Sequence, residues 1–285
     1  MQRKINFYLR ALWGRDFWLR PTQADHAGFK PYIEHRVLHL ADALDNYGDV
    51  RGLELYRASA GHLAAHMFYT RSTISAQELS PAQMWFIGYM EDARVEYCAA
   101  QEFPGLRKLW RTIMQVPREG RVEHPTIEAL ELVALALLDA SVKVADAEVA
   151  EIVQKFHANI EANKLDGQFS WHLGMELFNV YAARKDVPSL RILESLRIPY
   201  RDDNRYVWEF AEFDWEREAE YMPGLQQQVR KYVSALDMAL ELDCELAGDD
   251  AQEIWRLATP FYLDQEGCTI NELEGKEPVS EPFHY

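Results

Sequence analysis

Residues 53–71, "LELYRASAGHLAAHMFYTR", carry apolar and small side chains almost without interruption and contain no proline. A stretch this rich in Leu, Ala and Met predicts a helix buried around most of its circumference. "SPAQ" at 80–83 gives a helix start signal, with Ser80 as N-cap and Pro81 in the first helical position. The helix it opens runs through "MWFIGYMEDARVEYCAAQEF" and stops before Pro104. Trp85, Phe86, Ile87, Met90, Val95 and Tyr97 lie nearly all round it, which puts it in the core.

Further helices are predicted over about 105–115, from the proline start at 125 to about 142, and over 145–163. In the last of these Val149, Ile152, Val153, Phe156 and Ile160 recur at helical spacing. "QFSWHLGMELFNVYAAR", "VPSLRILESL" and roughly 224–247 complete the set. Helices joined by short turns predict an all-α fold, a multi-helix bundle-like domain over 1–265, with a soft boundary near 117–124. "IPYRDDNRYVWEFAEFDW", 198–215, mixes aromatic with charged residues and reads as an extended connection. From Glu266 the chain is polar with Gly and Pro, which predicts an extended linker over 266–285.

Composition narrows the function. A hydrophobic fraction of 48% excludes a disordered chain. The formal charge of −16 argues against a nucleic-acid binder, which needs a basic face, and against adsorption to anionic membrane. It suits a basic protein partner. The longest apolar run, "LVALALL" at 132–138, is too short to span a bilayer, so no membrane insertion is expected. "MQRKINFYLRALWGRDFWLR" has no uncharged segment of a signal peptide. Cys98, Cys244 and Cys268 are odd in number and far apart, which fits a reducing cytoplasm. Phosphate-cradling glycine motifs and a G-x-S-x-G elbow are missing from the sequence.

The candidate chemistry is concentrated in two helices. His62 and His66 are four residues apart, so both can reach one ion from a single helix face. Glu91, Asp92 and Glu96 on the next helix can complete a ligand set for zinc or another divalent metal, with Arg94 as counter-charge. The same residues also suit a metal-free network of ion pairs and histidine hydrogen bonds. A zincin-like hydrolase using His62, His66 and Glu91 is a third possibility. In H-E-x-x-H the glutamate deprotonates metal-bound water, and Leu63 stands in its place here. His35 and His39 form a second i, i+4 pair, read as structural. Trp13, Trp18 and Tyr32 are read as core.

"LYRASAGHLAAHMFYT" followed by "FIGYMEDARVEYCAAQEFPGLRKLW" resembles the N-terminal helical region of the NorD/CbbO proteins over about residues 30–115. The shared features are H-x-x-x-H, E-D-x-R-x-E and the "FPG-L-R" turn. "EPFHY" resembles the linker ahead of that family's von Willebrand factor A domain, which this chain lacks, as in a fragment or a short version. The resemblance implies a non-catalytic adaptor acting with a MoxR-type AAA+ ATPase. Its target would be a metalloenzyme: nitric-oxide reductase in one branch, ribulose bisphosphate carboxylase (Rubisco) in the other.

Overall fold

A computed structural model describes residues 2–22, 29–117 and 124–210, with four two-residue strands at 254–255, 262–263, 269–270 and 283–284. The chain divides into two compact units, 1–227 and 228–285.

The first unit opens with α1 (Gln2–Trp13), β1 (Trp18–Thr22), β2 (Tyr32–Glu34) and β3 (Val37–Ala41). Its helical body follows as α2 (Gly52–Tyr69), α3 (Pro81–Glu102), α4 (Pro104–Met114), α5 (Pro125–Leu138), α6 (Ala147–Asn159), α7 (Gly167–Ala183) and the one-turn α8 (Leu190–Leu193). Strand β4 (Ile74–Ser75) lies between α2 and α3, and β5 (Trp208–Glu209) closes the described part of the unit.

The all-α expectation is therefore corrected. Strands β1, β3 and β2 form a mixed sheet in that order, with β1 parallel and β2 antiparallel to β3. A second, parallel pair joins β4 to β5. The β2–β3 hairpin turns at His35 and Arg36, both at positive φ (49° and 64°). Such two-residue turns usually announce themselves through Asn-Gly or Asp-Gly. Here the turn residues give no such signal, and His35 and His39, an i, i+4 pair in the sequence, lie in the turn and the strand rather than on one helix face. In the strand His39 instead stacks on Tyr32, with ring centroids 4.3 Å apart, and its Nδ1 lies 3.2 Å from Thr22 Oγ1. Trp18, expected in the core, is 80% exposed at the start of the edge strand, whereas Trp13 is buried.

The helical body follows the apolar pattern. At the start of α3, Ser80 Oγ accepts from the Gln83 amide at 3.3 Å, and Gln83 Oε1 accepts from the Ser80 amide at 2.8 Å. Both α2 and α3 are buried along most of their length. Small residues set the distances between helices. A Cβ on Gly174 of α7 would lie 2.5 Å from Ile87 Cα of α3, so these backbones are in direct contact. A Cβ on Gly61 would meet Leu106 Cδ2 of α4 at 3.0 Å. The connection after α8 turns inward: Ile198, Tyr200, Arg201, Asp202, Asn204, Val207 and Trp208 are all buried.

In the second unit, strands β6 (Ile254–Trp255) and β9 (Phe283–His284) pair antiparallel, as do β7 (Tyr262–Leu263) and β8 (Thr269–Ile270). Two of these strands fall within the expected linker. They are too short to leave an alternating pattern in the sequence. The helix expected over 224–247 and residues 118–123 of the soft boundary lie outside the described residues. Among the described residues no helix is long and apolar enough to cross a membrane.

Candidate metal centre

Helix periodicity separates the polar residues of α3 into two groups. Asp92 and Glu96, four apart, face α2, while Glu91 and Arg94, three apart, share a different face. Two buried clusters result.

In the first, Arg94 Nε and Nη2 donate to Glu91 at 2.8 and 2.5 Å. Nη2 also reaches the Tyr69 carbonyl at 3.0 Å, and Nη1 donates to the Lys164 carbonyl. The hydroxyls of Thr70 and Ser170 each donate to Glu91 at 2.7 Å. Burial alone would raise the Glu91 pKa, but Arg94 and these donors hold it down at about 2. This carboxylate is saturated, and its charge is balanced within the cluster. It is not part of the candidate ligand set.

The second cluster comprises His62 and His66 from α2, Asp92 from α3, and Asp202 from the connection after α8. One ligand atom from each of the four lies within 4.8 Å of all the others. None of these residues is more than 4% exposed. His62 Nε2 is 3.3 Å from Asp202 Oδ1 and 3.7 Å from Asp92 Oδ1. His66 Nε2 is 3.3 Å from Asp92 Oδ1 and 3.7 Å from Asp202 Oδ1. Charge-assisted N–H···O bonds close to about 2.7–2.9 Å. Each imidazole nitrogen instead stands between two carboxylate oxygens.

An outer partner bears on each ring's Nδ1. Thr70 commits its proton to Glu91, so its oxygen can only accept from His66 Nδ1–H, 3.1 Å away. Glu96 receives Arg201 Nε and Nη2, both at 2.8 Å, and lies 3.2 Å from His62 Nδ1, though bent away from good hydrogen-bond geometry. Neutral rings protonated at Nδ1 would aim two Nε2 lone pairs at two carboxylate oxygens. Four lone pairs converging on one buried point require positive charge there.

The charge count agrees. Asp92, Glu96 and Asp202 bring three negative charges, and Arg201 returns one positive charge. Either two imidazolium protons or one divalent cation restores neutrality. Burial would push the proton off His62, yet Asp202 and Glu96 raise its pKa to about 10, which reflects how strongly the site attracts a cation. Asp202 is held at about 2 against its burial by His66 and His62, and its Oδ2 has no hydrogen-bond partner. The cluster can thus hold a metal ion.

Of the residues singled out from sequence, His62, His66 and Asp92 meet at this point. Glu96 stands behind His62 as its outer partner, and Glu91 and Arg94 belong to the other cluster. Asp202 and Arg201 were missed. "RDDNR" reads as solvated loop, and its only local cue was the run of buried-type aromatic and aliphatic residues on either side, Ile198, Tyr200, Val207 and Trp208. The surface groove along α7, lined by Trp171, His172, Met175 and Glu176 among others, shares no residue with the cluster. The chain matches no protein-family model, no curated protein and no solved structure.

Proposed function

We propose that this chain is a non-catalytic cytoplasmic adaptor whose core is tied together by one buried divalent metal. In this reading it works with a MoxR-type AAA+ ATPase to activate a metalloenzyme of the nitric-oxide reductase kind. The observation that carries the metal is the convergence of His62, His66, Asp92 and Asp202 on one buried point that lacks two positive charges. The same enclosure favours a structural over a hydrolytic role. A catalytic zinc keeps an open position for water, and its base stands beside the first histidine. Here the ligands are sealed in and that neighbour is Leu63, itself fully buried. The ATPase partnership rests on the NorD/CbbO resemblance of residues 30–115. The acidic excess adds to it by favouring encounter with a basic partner surface, an effect that salt weakens.

Elemental analysis of the purified chain tests the first part, with about one divalent metal per chain expected and its loss on His62→Ala. Co-purification with the cognate ATPase, with and without nucleotide, tests the second. A chain that never associates with the ATPase would refute the adaptor role while leaving the metal centre standing.

A further inference from the structure

Three of the four candidate ligands sit on the packed pair α2–α3. The fourth, Asp202, arrives from a segment with no regular structure between α8 and β5. We infer that the centre is a four-coordinate zinc-class site, and that its bond to Asp202 is the latch docking residues 198–209 onto the helical core. This rests on the divalent-metal reading above and adds the class of metal and the consequence of its binding.

Donor chemistry selects the class. Calcium takes six to eight oxygen ligands, and magnesium holds an octahedron of oxygens that includes several waters. Two imidazole nitrogens with two carboxylates suit zinc, or cobalt(II) in its place. The spacing agrees. A point centred among the four ligand atoms lies at most about 2.4 Å from them on average, and zinc bonds of about 2.0–2.2 Å require only a small contraction. An outer shell stands behind the rings: Thr70 pairs with His66 Nδ1 at 3.1 Å, and the Glu96 carboxylate lies 3.2 Å from His62 Nδ1. Glu96 is a positioning residue, locked in turn by Arg201.

The latch follows from where Asp202 sits. Tyr200, two residues before it, stacks on Trp110 with ring centroids 5.9 Å apart. After it, the Ile74 amide donates to the Val207 carbonyl at 2.7 Å and the Ala76 amide to the Glu209 carbonyl at 2.9 Å, forming the β4–β5 pair. The charged step between these contacts is Arg201–Asp202. With no metal, only protons on the two imidazoles stand between Asp202 and Asp92, and they tie the connection to the helices less firmly than shared coordination does. With a metal in place, the two carboxylates become co-ligands and the connection is held in. Opening of the segment then requires release of the metal, so its opening rate becomes linked to metal concentration.

The test uses the full chain, stripped by dipicolinate and reloaded with zinc, cobalt(II), magnesium or calcium. Cobalt is expected to give the intense visible absorption of a tetrahedral site at one equivalent, displaced by zinc. Backbone amides of 198–209 should exchange about 100-fold more slowly with free zinc at about 100 times its Kd, and magnesium or calcium should give no such protection. Asp202→Asn should lose the tetrahedral cobalt spectrum and the zinc-dependent protection. Should that variant fail to fold, the wild-type comparison with and without zinc still decides. Zinc binding that leaves exchange over 198–209 unchanged, or a weak octahedral cobalt spectrum, overturns this inference alone. A chain that binds none of the four metals overturns the divalent-metal reading itself.

Discussion

Arg94→Ala probes the charge-balanced cluster around Glu91, and its cost can be worked out from the contacts. The guanidinium is fully buried and donates to Glu91 twice, to the Tyr69 carbonyl, and to the Lys164 carbonyl. Truncation strips Glu91 of its ion-pair partner and leaves it with two hydroxyl donors in a fully buried site. Breaking a buried pair from one side costs about 3–5 kcal/mol. For a unit of this size that is a fall in Tm of roughly 6–20 °C.

The pH dependence adds a second signature. In the wild type the Glu91 pKa is depressed from 4.5 to about 2, so its contribution is complete above pH 4.5 and is lost as pH falls through about 2. Without Arg94, burial raises that pKa, and the ionised carboxylate becomes a liability above it. The gap between variant and wild type should therefore be widest near neutrality and narrow on acidification towards pH 4. Urea titrations at pH 7 and pH 4.5, followed by tryptophan fluorescence, measure both quantities. Replacing both partners, Glu91→Leu with Arg94→Leu, should cost less than Arg94→Ala alone. A loss under about 1 kcal/mol, or a gap that does not change with pH, would show that the pair is hydrated and the reasoning wrong.

Other expectations follow from single contacts. Gly174→Val should destabilise by about 1–3 kcal/mol or more, because its Cβ would lie 2.5 Å from Ile87 Cα and force α7 off α3; an unchanged urea midpoint would refute that close approach. Ser80→Ala removes the α3 cap and should cost about 1 kcal/mol by the same titration. Tyr89→Phe leaves the Leu130 carbonyl without its 2.6 Å donor and should cost about 1 kcal/mol or somewhat more, read as a lower Tm. Incubation of the zinc-loaded chain with a broad peptide library should show no chelator-sensitive cleavage, since Leu63 replaces the base; cleavage abolished by His62→Ala would contradict this.

The helices were legible because their signals are local: a run of apolar positions, a proline at the first turn, a capping serine. The ends of α3 and α4 in particular follow from Ser80-Pro81 and Pro104. The strands were not legible. Val37–Ala41 has one β-branched residue, its hairpin turn is His35-Arg36 rather than a glycine pair, and β4 and β5 are two residues each. Of the site, the two histidines and Asp92 were visible through helical spacing on neighbouring helices. Asp202 lies 110 residues beyond Asp92 in an irregular segment, and no periodicity connects the two. Tertiary packing alone brings that segment inward.

The grouping of charges on α3 settles what each cluster can do. Read as one constellation, Glu91, Asp92, Arg94 and Glu96 carry two uncompensated negative charges with no sign of where they lie. On the helix, Glu91 and Arg94 face Ser170 and the 164 carbonyl, where they neutralise each other. Asp92 and Glu96 face α2 and the connection, where Arg201 offsets only one charge and Asp202 adds another. The balanced pair acts as a rigid internal tie, and adding a cation there would cost desolvation with no gain. The unbalanced group is the one that draws a cation, and that cation can only be supplied by protons on His62 and His66 or by a metal between them. Arg201 thereby acquires a definite role. Arg201→Met should leave Glu96, one of the three negative charges at the centre, without its counter-charge, loosening His62 rather than strengthening metal capture. Zinc titration of that variant should give weaker binding than wild type; tighter binding would mean that net charge, not ring orientation by Glu96, governs the site.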